Sequence, residues 1–184
     1  MSSDEIAGFS AAYDANYADV LRYVQRRTPP AHVDDVVAET FAVAWRRRGA
    51  LPPEPRAWLF RTASNVMKST ARRESRQQTL AIRSWEPPLG EASGAGTDLD
   101  GSLDLIAAWR RLSRRDRESI ALHAWEDLSD TEAATVLGCT RATYTMRLSR
   151  AKRRLAQIVD PAPVDPAPGQ ASAERRLHPR EGTS

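Results

Sequence analysis

The 184 residues, 41% hydrophobic and 28% charged, suffice for one ordinary domain or two small ones, and in either case surface dominates core. No run approaches the roughly 18 apolar residues of a membrane span. The acidic start MSSDEIAGFS lacks the basic and apolar regions of a signal peptide, and the one cysteine, Cys139, can build neither an internal disulfide nor a metal cluster, so a cytoplasmic protein without membrane contact is expected.

The net charge of +3 is unevenly spread: residues 1–80 carry +3, residues 81–100 carry −3, residues 101–159 carry +4 and residues 160–184 carry −1. Two basic blocks thus flank an acidic strip. Of the 27 basic residues only Lys68 and Lys152 are lysine. The arginine fork suits phosphate, and a GC-rich genome produces the same bias.

Residues 9–27 read as a helix, with Phe9, Tyr13, Tyr17, Val20, Leu21 and Val24 at spacings of three and four. Thr28-Pro29-Pro30 stops it. A second helix starts near Asp34-Asp35, acids suited to a helix N-terminus. Val33, Val37, Phe41, Ala44 and Trp45 give its apolar face, and Arg46-Arg47-Arg48 then Gly49 end it. A third follows Pro55, with Trp58, Leu59, Thr62, Ala63 and Val66 on one side, and runs into ARRESR. Most of Ser75 to Gly101 reads as a linker, with Pro87-Pro88, several glycines and little periodicity.

A second helical unit begins near Ser102, where Leu103, Ile106, Ala107 and Leu112 can pack together. Ser113 is a good N-cap for RRDRESIALHAW, whose apolar face carries Ile120, Ala121, Ala124 and Trp125. Ser129 caps a short helix and Glu132, three residues on, completes a capping box. Gly138 breaks that helix and Thr140 caps the next, RATYTMRLSRAKRRLAQIV. The Pro/Ala-rich tail, residues 160–184, reads as disordered or extended. The fold class is all-α, with no convincing strand and no internal repeat.

Helix 129–137, a glycine-containing turn and helix 140–157 make a helix-turn-helix. With Arg141 at zero and about 100° per residue, Tyr144, Leu148, Ala151, Leu155 and Ile158 fall between about 260° and 340°. Ala142, Thr145, Met146, Ser149, Arg150 and Arg153 fall between about 40° and 180°. No acid lies between Arg141 and Val159. One apolar stripe opposite a cationic face fits a helix that docks on its own domain and enters a major groove. It also fits a solvated helix of an ordinary bundle. Tyr144 lies on the stripe and is expected in the core, and Cys139 is expected to act as a small buried hydrophobe.

Trp58, Leu59, Phe60 and Arg61, followed by basic residues from Lys68 to Arg76, combine stacking faces with backbone-tracking charges, as single-stranded nucleic acid needs. By spacing alone Trp45 and Trp58 fit apolar faces, which favours core positions for both. The mid-helix Asn65 is either solvated or able to read a base edge.

The order of these pieces resembles a bacterial RNA polymerase sigma factor of the extracytoplasmic-function (ECF) group. DDVVAETFAVAW resembles region 2.2, PRAWLFRTASNVMKSTARR regions 2.3 and 2.4, and LSRRDRESIALHAWEDLSDTEAATVLGCTRATYTMRLSRAKRRL region 4. The resemblance covers residues 9–157. It implies two small helical domains, region 2 over 9–79 and region 4 over 102–159, joined by a flexible linker over 80–101. Region 2 would bind the β′ clamp helices of core RNA polymerase through Asp35 and Glu39, and recognise and open the −10 element. Trp58, Arg61, Asn65, Lys68, Arg72 and Arg73 are the −10 candidates, Asn65 near a flipped base, with a loop from Glu74 to about Thr79 completing its pocket. Region 4 would bind the β flap tip and read the −35 element through Thr145, Met146, Ser149 and Arg150, with Arg141, Thr143 and Arg147 better placed for phosphate.

Some positions depart from the family. Ala38, Ala42 and Val43 stand where larger polar or basic residues are common. Position 145 is commonly lysine or arginine and position 146 commonly serine, so a −35 preference unlike the common one is expected. An anti-sigma factor, a frequent partner in the family, is a candidate partner here. Rival readings are an autonomous helix-turn-helix regulator and a sigma-like antagonist or adaptor. No catalytic site, metal or cofactor is expected: His32, His123 and His178 are scattered, and neither a nucleophile elbow nor a phosphate loop is present. The default oligomeric state is a monomer. The tail is either an appendage or a regulatory extension.

Overall fold

A computed structural model describes residues 3–77 and 99–160, with side chains placed over 3–73 and 105–160. Among the described residues there are seven α-helices and no strand. They are α1 Ser3–Gln25, α2 Val33–Arg46, α3 Arg56–Gln77, α4 Leu99–Arg111, α5 Arg114–Ala124, α6 Asp130–Leu137 and α7 Arg141–Val159. Single 3-10 turns at Pro30–His32 and Arg48–Ala50 separate the first three.

Helix boundaries follow local chemistry, with three corrections. α1 starts at Ser3, not residue 9, because Asp4 and Glu5 in its first turn complement the helix dipole. α3 runs to Gln77, so Glu74–Gln77 are its last turn and not the start of a loop. α4 begins at Leu99, so residues 99–101 are helix and not linker. The rest of the expected linker, Gln78 and Thr79 of the expected loop, and the tail beyond Asp160 lie outside the described residues.

α1, α2 and α3 bury Val20, Tyr23, Val24, Val36, Val37, Phe41, Leu59, Phe60 and Ala63 between them. Tyr23 lies flat on Phe60, ring centroids 4.5 Å apart and planes within 7°. α4 to α7 bury Trp109, Leu112, Ile120, Leu122, Leu128, Val136, Tyr144, Leu148 and Ala151. The two sets form one continuous apolar cluster. Each buried aliphatic or aromatic side chain contributes about 1.5–3 kcal/mol.

Tyr144 is a core residue, fully buried, and its hydroxyl donates to the Ser119 carbonyl at 3.0 Å. Burial, reinforced by Asp130, pushes its phenol up to about 12. Cys139 is partly buried against the core. Trp45 departs from expectation: it is 37% exposed, set edge-on against Phe9, with the Arg48 guanidinium 4.6 Å from its ring centroid. Ala124, read as an apolar-face residue, is exposed.

The turns of the second unit are fixed by caps. Ser113 accepts from the Asp116 N–H, and Thr140 from the Thr143 N–H. At α6 the Ser129 hydroxyl accepts from the Glu132 N–H, while the Glu132 carboxylate accepts from the Ser129 N–H at 2.9 Å. Gly138 then takes a left-handed φ of 66°, where only glycine is free of strain.

Ser129→Ala should cost about 1 kcal/mol of stability. The Ser129 hydroxyl bond holds the Glu132 carboxyl below its ordinary range. A depressed folded-state pKa gives stability that is present above the unfolded pKa and lost as pH falls through the folded one. Urea unfolding of wild type and Glu132→Ala should therefore show a gap at neutral pH that closes as the medium is acidified past the ordinary carboxylate range. A gap independent of pH would contradict the cap.

Candidate nucleic-acid interface

The recognition-type helix α7 lies on its domain through Tyr144, Leu148 and Ala151, with Leu155 and Ile158 partly buried beyond them. Arg141, Ala142, Thr145, Met146, Arg147, Ser149, Arg150 and Arg153 are all exposed, and Met146 is 55% exposed. Thr143 is half-buried, its hydroxyl 2.9 Å from that of Thr140. Arg154, at the edge of this face, is spent inside the domain on Asp116 at 2.6 Å. The Thr145 hydroxyl is also engaged, 2.7 Å from the Asp130 carboxylate and 3.1 Å from the Arg141 carbonyl.

α3 has its own polar face. Its core side is Leu59, Phe60 and Ala63, with Val66 and Met67 partly buried. Trp58, Arg61, Asn65, Lys68 and Arg72 recur at spacings of three and four, which places them on one side of a helix. Asn65, Lys68, Arg72 and Arg73 are exposed, and Trp58 is half-buried against the core. Arg61 is occupied: it donates to the Thr135 carbonyl at the end of α6, at 2.9 Å. A Cβ added at Gly138 would sit 3.2 Å from the same guanidinium. On α2, Asp35 and Glu39 are exposed one turn apart, and Glu39 pairs with Arg46 at 2.7 Å.

The two units are closed on each other by charge. Glu126, between α5 and α6, is 4% exposed and lies 2.9 Å from Arg26 and 2.7 Å from Arg27 at the end of α1. Arg27 also reaches Glu118 at 3.1 Å and lies 3.9 Å above the Tyr23 ring. Burial alone would lower the Arg27 pKa, but Glu118, Tyr23 and Glu126 outweigh it and hold the cation firmly charged. Arg56, opening α3, bonds Asp19 at 2.7 Å and the Glu126 carbonyl at 2.9 Å. α3 packs along α6 beside these contacts.

Comparison with known proteins places this geometry. Residues 12–77 match the Sigma-70 region 2 family and residues 102–155 the Sigma-70 region 4 family. The RNA polymerase sigma factor CnrH of Cupriavidus metallidurans is 33% identical over 144 residues, 72% of this chain and 75% of CnrH. The chain is a sigma factor of the ECF group. It is 24% identical over 152 residues to the ECF RNA polymerase sigma factor SigK of Mycobacterium sp. strain KMS, 78% of this chain and 79% of that one. The crystal structure of the sigma factor RpoE from Bartonella quintana, in complex with the anti-sigma factor NepR, superposes with a TM-score of 0.62 at 25% identity, covering 82% of this chain and 96% of that one. As an alternative sigma factor, the protein directs promoter-specific initiation by core RNA polymerase.

Sequence reasoning missed what joins the two regions of the sigma factor. Arg26, Arg27, Arg56, Glu118 and Glu126 carry no periodic or motif signal, and their partners lie as many as 100 residues away. Asp130 was invisible for the same reason.

Removing one partner of a buried ion pair strands the other. Glu126→Ala should cost the sigma factor about 3 kcal/mol in thermal or urea unfolding, toward the lower end because Glu118 still neutralises Arg27. The double change Arg27→Met with Glu126→Leu should recover most of the loss. Losses that simply add would contradict a buried, mutually dependent pair.

Proposed function

We propose that the exposed faces of α3 and α7 read the −10 and −35 elements of one promoter, and that the closed arrangement opens to allow it. The observation that carries this is Arg61. It is a −10 candidate, and its guanidinium is held on the last turn of α6, next to the recognition helix. The two elements are centred about 25 base pairs apart, about 85 Å at 3.4 Å per base pair. A molecule with α3 packed on α6 cannot touch both. The 21 residues 78–98 between α3 and α4 can reach up to about 70 Å when extended, enough with the two domains to span that distance.

In this reading Asn65 and Trp58 face the strand opened at the −10 element. Lys68, Arg72 and Arg73 follow its phosphates. On α7, Ser149 and Arg150 read bases beside Thr145 and Met146, and Arg141, Thr143 and Arg147 hold phosphates. Asp35 and Glu39 meet the β′ clamp helices, and region 4 meets the β flap tip. Region 2 takes in the helices α1 to α3 and region 4 the helices α4 to α7. The protein works in the cytoplasm and does no chemistry of its own. Among the described residues no helix is long and apolar enough to cross a membrane, and no three His, Cys, Asp or Glu side chains group to hold a metal. An anti-sigma factor, as in the RpoE complex, would act by keeping the two regions from polymerase and promoter.

Run-off transcription from a fragmented genomic library, with and without core polymerase, tests the whole reading. Core-dependent transcripts sharing two upstream motifs are expected. Arg150→Ala should weaken holoenzyme binding by about 1–3 kcal/mol, with the loss confined to the upstream motif. Arg61→Ala should weaken opening at the downstream one. Promoter binding without core would instead indicate an autonomous regulator. Core binding without transcripts would indicate an antagonist.

A further inference from the structure

The start of α7 offers an unusual surface for reading bases, and this inference rests on the −35 assignment above. A threonine hydroxyl has one proton. Both acceptors within reach of the Thr145 hydroxyl belong to the protein: Asp130 at 2.7 Å and the Arg141 carbonyl at 3.1 Å. The carboxylate is the closer and the charged one, so it holds that proton more strongly. Position 145 therefore has no donor to give a base. What it presents is a methyl group and lone pairs, with the Asp130 carboxylate beside them. Its exposed neighbours Ala142 and Met146 are apolar.

Base edges differ in how they meet such a surface. Guanine shows two acceptors, N7 and O6, in the major groove. Against lone pairs and a carboxylate they are repelled, and they find no donor at this point. An A·T pair shows the adenine N6 amino donor and the thymine C5 methyl. The first suits an acceptor and the second suits Met146 and the Thr145 methyl. A G·C pair also shows a donor, cytosine N4, but no methyl, and it brings guanine's two acceptors, so the methyl decides.

We propose that Asp130 is a specificity-determining residue: by fixing the Thr145 hydroxyl as an acceptor it makes the tip of α7 select A·T pairs through the thymine methyl and exclude guanine. Asp130 itself sits in the first turn of α6, outside the recognition helix. Arg150 and Ser149, further along the exposed face, keep their donors for neighbouring base pairs.

The test uses holoenzyme reconstituted from the full chain and core polymerase, on the promoter that the library experiment selects. Each thymidine of the −35 element is replaced singly by deoxyuridine, which deletes the methyl and leaves every hydrogen-bonding group. Binding is expected to fall about fourfold at one or two positions, the transfer value of one methyl-sized group. Thr145→Val keeps the methyl and loses the hydroxyl, so it should retain that sensitivity. Met146→Ala combined with Thr145→Ser should lose it. Asp130→Asn, which puts amide donors beside Thr145, should admit guanine at the same positions. An element without thymine there, or one insensitive to deoxyuridine although Arg150→Ala still weakens it, overturns this inference and leaves the −35 assignment standing. If Arg150→Ala also has no effect, the assignment of α7 fails as well.

Discussion

Glu126 is the hinge of the structure in the chemical sense. Its carboxylate is almost wholly withdrawn from water and is met there by Arg26 and Arg27. Its own backbone carbonyl receives Arg56, so one residue gathers cations from the end of α1 and the start of α3. Asp127, immediately after it, adopts a left-handed φ of 49°, a conformation aspartate tolerates, and turns the chain toward α6. Desolvating these charges is costly, and the attraction returns little more than the cost. These pairs fix the geometry of an interface that also shares one continuous apolar cluster between the two regions.

That balance suits a protein whose two regions have separate targets. Within each region the contacts are mainly apolar. The Tyr23–Phe60 stack, the α2 face and the Tyr144–Leu148–Ala151 stripe are apolar and fully buried. Each region therefore keeps its own fold when the charges between them are rearranged. Arg27 shows where the two regimes meet: its cation lies over the Tyr23 ring of one core and points its donors at the carboxylates of the other region.

What the sequence disclosed was what adjacent residues decide. The helix-turn-helix could be read from Ser129, Glu132, Gly138 and Thr140 because capping acts over three residues, and periodicity alone placed Tyr144 in the core. Boundaries without a distinctive cap are less legible, as at the starts of α1 and α4, whereas the pattern of α3 carries through ARRESR and it is the loop implied by the resemblance that begins too early. Spacing puts Trp45 on an apolar face, yet spacing does not say whether a neighbouring helix reaches far enough to cover a large ring. Periodicity marks the side of α7 that is exposed, but the hydrogen bond that changes the chemistry of Thr145 joins it to another helix, 15 residues back. Glu126 and Arg27 gave no sign at all, since ion pairs across 99 residues leave no local pattern. The −10 and −35 assignments came from family resemblance, and the structure adds that one of those residues, Arg61, is engaged within the protein.

The most direct test of this account is the distance between the two regions. Spin labels or fluorophores placed on exposed Ser69 in α3 and exposed Gln157 near the end of α7 report it without disturbing the ion pairs or the base-reading face. A short, narrow distance distribution is expected in the free sigma factor, and a separation several times longer in the open promoter complex with core polymerase. The same distance in both states would contradict it.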